Sequence, residues 1–159
     1  MNRVAEEITE LNLSAHPEGG IFRVVEEGPV ETISSIADPR RIFSHIYYAL
    51  RSGEVSRLHK LDCYEIIHFY GGSRVFIVEL VDAELPPRIT ILGDNASTGD
   101  RRVCYVGLDA WFGAFLEDGG SCALLGCTTV PGYEELIFGD RASLLREYPL
   151  CNEMVMLLT

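Results

Sequence analysis

At 159 residues the chain is long enough for one domain that buries roughly two-thirds of its unfolded surface without help from disulfides or metals. Its net charge of −11, from 13 basic against 24 acidic residues, argues against nucleic acid, since a phosphate backbone calls for clustered Lys and Arg. No apolar run reaches the length of a membrane span, and the acidic start (Glu6, Glu7, Glu10) does not read as a signal peptide.

Val4, Ile8 and Leu11 form one stripe of a short amphipathic helix over 3–12. Residues 13–20, LSAHPEGG, break it with loop chemistry, and 21–27 (IFRVVEE) read as a strand. The polar stretch 28–41, with two prolines, is expected to be a mobile loop. Strands then follow almost without interruption: 42–50, 63–70, 74–81, 88–92, 101–106, 111–117, 121–130 and 133–138. Gly, Pro, Asp or Asn marks most junctions, as at Gly71-Gly72 and Pro86-Pro87. Asp140 caps a last helix over 141–148, which Pro149 follows. Short strands at this spacing predict an all-β sandwich or barrel with short helices at both ends. Five cysteines with no CxxC predict free thiols and a reducing, cytoplasmic setting.

The chemistry-bearing stretch is 53–72, GEVSRLHKLDCYEIIHFYGG. Alternation along its second strand puts Glu65 on one face with Cys63, Ile67 and Phe69. Tyr64, Ile66, His68 and Tyr70 fall on the other. A buried carboxylate needs a partner or a proton. His59 is the expected partner, and the pair reads either as a structural hydrogen bond or as a proton-transfer dyad.

The spacing Gly53, His59, Glu65, Gly72 resembles the first motif of the cupin superfamily, with Leu61 standing where that motif has a second histidine. In the region of the second motif, residues 106–113 read VGLDAWFG: Gly107 replaces proline, Asp109 glycine and Phe112 histidine. Six blocks resemble, in order and spacing, a small cupin branch that opens with HPEGG: His16–Gly20 with Arg23, Ile46-Tyr47, His59 to Tyr70, Leu92-Gly93, Trp111-Phe112, and Val130–Tyr133 with Phe138. That resemblance implies a double-stranded β-helix (jelly roll) enclosing a pocket. It also implies a homodimer, and distant kinship with sugar-nucleotide epimerases.

The expected catalytic pair is therefore His59 and Glu65. Expected ligand-binding residues are Glu18 at the pocket rim, Arg23 as a partner for a carboxylate or phosphate, and Trp111 and Phe112 as an apolar wall. Each has a plainer reading: turn geometry for Glu18, a surface ion pair for Arg23, core packing for the aromatics. His45 reads as a core or interface histidine, and His68 as part of an outer face or dimer contact. Tyr48, Tyr105 and Tyr133 are alternative general acids.

Metal chemistry needs three or four protein ligands, and Leu61 and Phe112 occupy two of the family's positions, so neither a tightly bound metal nor another cofactor is expected. The leading expectation is a small polar ligand, such as a sugar or nucleotide-sugar, and metal-independent isomerase or epimerase chemistry. A non-catalytic binding module stands close behind it, and a metal-dependent oxygenase further off.

Overall fold

The structure, a computed structural model, describes residues 3–32, 39–108 and 110–159. Thirteen strands are described: β1 (Ser14–Ala15), β2 (Ile21–Glu27), β3 (Val30–Glu31), β4 (Arg40–Arg41), β5 (Ser44–Arg51), β6 (Val55–Leu61), β7 (Tyr64–Gly72), β8 (Val75–Leu80), β9 (Arg88–Leu92), β10 (Val103–Val106), β11 (Trp111–Leu116), β12 (Cys122–Val130) and β13 (Leu136–Phe138). They form a six-stranded sheet, β1-β2-β5-β12-β7-β10, and a five-stranded sheet, β13-β6-β11-β8-β9, with β3 and β4 as a separate antiparallel pair. Every pairing between these strands is antiparallel, and the two large sheets face each other as a jelly roll.

The core between the sheets follows from alternation. On β7, Glu65, Ile67 and Phe69 are buried, while Tyr64 and Tyr70 are exposed. Ile67, Phe69, Ile77, Phe112 and Leu125 belong to one interior cluster. On β12 both faces are buried, because α1 (Arg3–Glu10) covers the outer one. Ile8 on that helix packs with Leu124 and Cys122, joined by Val4 and Leu11. The apolar stripe read from the sequence is therefore the docking face of α1.

The outside of the five-stranded sheet is covered by α2 (Arg141–Glu147) and α3 (Asn152–Leu158). Leu144, Val155 and Leu158 pack on Leu58, Val78 and Leu80. Asp140 caps α2 as expected, its carboxylate accepting from Ser143 N–H at 2.9 Å.

Two elements differ from the sequence reading. β6 has a polar run, SRLHK, that reads as a connection but pairs with both β11 and β13. α3 lies beyond Pro149, where the sequence reading had ended the structure. Of the expected mobile loop, residues 28–32 and 39–41 are described and carry β3 and β4; residues 33–38 lie outside the described residues, as does Asp109.

Candidate functional site

The site is made by two local features that meet inside the barrel. The first is a β-bulge in β6. Its register against β11 shifts between Phe112↔His59 and Ala114↔Ser56, so one extra residue is accommodated on β6. Ser56 and His59 therefore both face inward, while Leu58 joins the outer cluster under α2 and α3. Opposite the bulge stands Gly113, where a Cβ would come within 2.7 Å of the Ser56 carbonyl oxygen.

The second feature is the HPEGG turn. Arg57 N–H donates to the Glu18 carbonyl at 2.9 Å, and the Arg57 side chain donates to the Pro17 carbonyl at 2.8 Å. Gly19 has a φ of 112°, and a Cβ there would stand 2.1 Å from the Val55 carbonyl oxygen. Tyr48 Oη donates to the Gly19 carbonyl at 2.8 Å. The turn is thus pressed onto β6, and this places the Glu18 side chain inside the barrel.

There Glu18 meets His59. His59 Nε2 lies 3.0 Å from Glu18 Oε2, and Ser56 Oγ donates to Glu18 Oε1 at 2.9 Å. His59 Nδ1 is 2.7 Å from the Arg57 carbonyl oxygen. A carbonyl only accepts, so Nδ1 carries a proton. Nε2 faces Glu18 Oε2 within hydrogen-bonding distance, so His59 and Glu18 are held as one unit. His16 stands next to it, its Nδ1 accepting from Glu18 N–H at 3.3 Å. Burial holds His16 below the usual imidazole range, with Glu18 acting to raise it and His59 to lower it.

The expected His59–Glu65 hydrogen bond is not formed: both imidazole nitrogens are engaged elsewhere, by Glu18 and Arg57. Glu65 comes from β7 on the opposite sheet and is 7% exposed, and its Oε2 has no hydrogen-bond partner among the described residues. Burial, reinforced by the Glu18 carboxylate and partly offset by a hydrogen bond with Cys127, pushes its pKa up to about 8. Glu65 is a protonated carboxylic acid at neutral pH.

His16, Glu18, His59 and Glu65 line one cavity of about 30 Å³, closed by Leu61, Tyr133 and Leu136. A neighbouring cavity of about 20 Å³ shares Glu18 and Glu65 and is walled by Phe112, whose ring centroid is 4.2 Å from that of His59. Each void is the size of roughly one water molecule.

The other expected ligand contacts are corrected by the alternation of their strands. Phe22 turns inward, so Arg23 turns outward, donating to the Leu11 carbonyl at 2.7 Å and lying over the Tyr47 ring. Trp111 packs on the outer face beneath the C-terminal helices, with Lys60 Nζ 4.6 Å from its ring centroid. Of the acids weighed, Tyr48 is committed to Gly19, Tyr105 stacks on Tyr64 outside the barrel, and Tyr133 sits at the rim. His45 bonds Thr128 Oγ1 through Nδ1 at 2.7 Å, and Tyr70 Oη is 3.2 Å from its Nε2.

Residues 5–138 match the Cupin superfamily (DUF985) family. The chain belongs to that family. Protein SO0799 of Shewanella oneidensis is similar in structure over 100% of this chain and 98% of its own, at 28% identity and a TM-score of 0.87. A hypothetical protein from Leishmania major matches at 20% identity and a TM-score of 0.88, with 99% of each chain covered. Bacillus subtilis oxalate decarboxylase, a protein with Mn(II) centers, shares the fold at 13% identity and a TM-score of 0.55, over 94% of this chain and 38% of its own. No curated protein matches the chain.

Cupins suggest a metal, and the residues present do not fit one. Leu61 and Phe112 fill two ligand positions with hydrocarbon, and His59 Nε2 is turned to Glu18. Among the described residues, no three His, Cys, Asp or Glu side chains form a group able to hold an ion. Nor is any described helix long and apolar enough to cross a membrane.

Proposed function

We propose that this cupin takes the reacting end of a small polar molecule into the barrel and moves protons on it, as an isomerase-type enzyme. The observation that carries the reading is the placement of Glu65. A neutral carboxyl whose Oε2 has no partner among the described residues shares one cavity with His59, which stands on the opposite sheet, and with the Glu18 paired to it. A proton donor and a proton acceptor on opposing walls are what proton removal and return beside a carbonyl require. Glu65 takes the acid role that the sequence left among three tyrosines.

The volume narrows the substrate. A cavity of about 30 Å³ takes a carbonyl or hydroxyl group, with the rest of the ligand lying over Tyr133 and Leu136 at the rim. A sugar nucleotide fits only with its body outside the barrel, so the epimerase reading is reduced to the reaction type. Proton NMR in D2O tests the proposal, following deuterium entry beside the carbonyl of dihydroxyacetone, hydroxypyruvate and small aldoses. The expected result is protein-dependent exchange that His59→Gln and Glu65→Gln both abolish. Exchange untouched by either change would overturn it. The rival reading, a binding module without turnover, draws on the pairing of both His59 nitrogens within the protein. It predicts saturable binding with no exchange.

We also propose that the molecule works as a homodimer in a reducing compartment such as the cytosol. Tyr64 and Tyr105 stack with centroids 5.7 Å apart at the β7–β10 margin, where Tyr64, Tyr70, Val103 and Tyr105 are exposed. That apolar face fits a second copy of the chain. All five cysteines are free and buried, as a reducing setting allows. Light scattering at micromolar concentration is expected to give twice the chain mass, falling to the monomer in Tyr105→Glu. A wild-type monomer would defeat the assembly claim.

A further inference from the structure

The barrel has a second recess, separate from the one around His59 and not used by the acid–base reading. Bordered by β8, β9 and β10 and by residues following β10 is a cavity of about 500 Å³. Small-molecule sites run from roughly 300 to 1,000 Å³, so this one is of ligand size where the His59 cavity is not.

Its inner wall is a fixed ion pair. Phe112 lies in register with His59 on one side and Glu79 on the other, and Glu79 lies opposite Arg88. The inner row across the five-stranded sheet thus reads His59, Phe112, Glu79, Arg88, with Phe112 between His59 and Glu79 in the register. Glu79 is 1% exposed, and both its oxygens accept from Arg88, one from Nε at 2.9 Å and the other from Nη2. This fork neutralises the buried carboxylate and leaves Arg88 Nη1 over.

Arg101 is different. Its backbone is fixed, with N–H donating to the Ile91 carbonyl at 2.9 Å and a bridge to Leu92. Its guanidinium lines the cavity without a carboxylate or hydrogen-bond partner among the described residues. Arg88, Arg101 and the buried Cys104 line the same recess, and both cations lower the pKa of the Cys104 thiol against the upward push of burial, Glu79 and Glu65. With Glu79 cancelled by Arg88, the described residues of the recess keep one uncompensated positive charge, in a protein of net charge −11. Around that charge stand Leu80, Val81 and Leu108, with hydroxyl groups from Thr90 and Tyr148.

We propose that this recess binds a small organic anion, a carboxylate or phosphate on an apolar body, anchored by Arg101 and by the spare donor of Arg88. A carboxylate and a phosphate make the same demand on a guanidinium, so both are probed.

The test is a titration of 15N-labelled protein with benzoate and with phenyl phosphate, with benzyl alcohol as the uncharged control. Saturable shifts are expected at the amides of Thr90, Arg101, Gly107 and Leu108, and the tighter of the two anions identifies the head group. Arg101→Gln, at an exposed position, is expected to leave the melting temperature unchanged and to weaken anion binding about tenfold, the value of one charge-assisted contact. Absence of saturable shifts with both anions would overturn the proposal. So would unchanged affinity in Arg101→Gln, or benzyl alcohol binding as tightly as the anions. None of these results bears on deuterium exchange at the His59 site, so the two claims fail separately.

Discussion

His59 Nε2 and Glu18 Oε2 lie 3.0 Å apart, joining a strand of the five-stranded sheet to a turn that begins 43 residues earlier at His16. The contact depends on the β6 bulge for the direction of His59 and on the glycines of the turn for the reach of Glu18. It is a structural tie and, in the proposed reaction, the proton-accepting half of the site.

Removing Glu18 therefore has a structural cost apart from any catalytic one. Glu18→Ala strands His59 Nε2 and the Ser56 hydroxyl in the interior, and a loss of about 2–4 kcal/mol is expected for groups left unpaired there. Glu18→Gln keeps an acceptor oxygen and is expected to lose about 1 kcal/mol. Urea unfolding midpoints measured at one pH separate the two. Equal losses would show that the carboxylate does not hold His59.

Glu65 gives the protein a pH signature of unusual sign for a carboxylate. Its folded pKa is raised to about 8 from the ordinary carboxylate range, so between those limits the unfolded chain has released a proton that the folded chain keeps. Stability contributed by Glu65 is thus greatest in acid and falls as pH rises from about 4.5 towards 8, at roughly 1.4 kcal/mol per pH unit at most. Glu65→Gln removes this titration. The expected result is a melting temperature that declines less between pH 5 and pH 8 than in the wild type, read by circular dichroism. Parallel declines would place the charge penalty elsewhere.

The HPEGG turn gives a sharper packing test. At Gly19 a methyl group meets the Val55 carbonyl at 2.1 Å, and φ is 112°, so clash and backbone strain add. Gly19→Ala is expected to cost about 3 kcal/mol or more, against about 1 kcal/mol for Gly119→Ala, where φ is also positive but nothing lies within 4 Å. Thermal unfolding of the pair checks this, and similar losses would mean the turn is not pressed onto β6.

Much of this architecture was legible in the sequence. Alternation in 63–70 gave the inward face of β7 correctly, because that strand is regular and one face is buried. The apolar stripe of α1 and the Asp140 cap were legible for the same reason: each is a local pattern. What the sequence hid was non-local. The bulge in β6 breaks period-two alternation, so SRLHK reads as a connection and gives no phase for His59. The partner of His59 could not be read from spacing, because Glu18 arrives through a turn from another part of the chain. HPEGG was the available signal: paired glycines after a glutamate mark a turn held in close contact, and the glutamate is the group it delivers. Arg23 and Trp111 were misassigned because a one-residue step along a strand exchanges the inside for the outside.

Trp111 and Phe112 are adjacent in sequence and lie on opposite faces of β11. Trp111→Ala removes a partly buried ring from beneath the C-terminal helices and its contact with Lys60; a loss of about 2 kcal/mol is expected, below the range for a fully buried aromatic. Phe112→Ala empties a position only 4% exposed, and about 3–5 kcal/mol is expected. Stability alone does not tell an inner wall from an outer one. The imidazole 15N signals of His59 do, since the Phe112 ring lies 4.2 Å from that imidazole and Trp111 is on the far side of the strand. Trp111→Ala should leave those signals in place. Phe112→Ala should move them. If Trp111→Ala moves the His59 signals as far as Phe112→Ala does, the indole contributes to the interior after all, and the division of β11 into an inner and an outer aromatic is wrong.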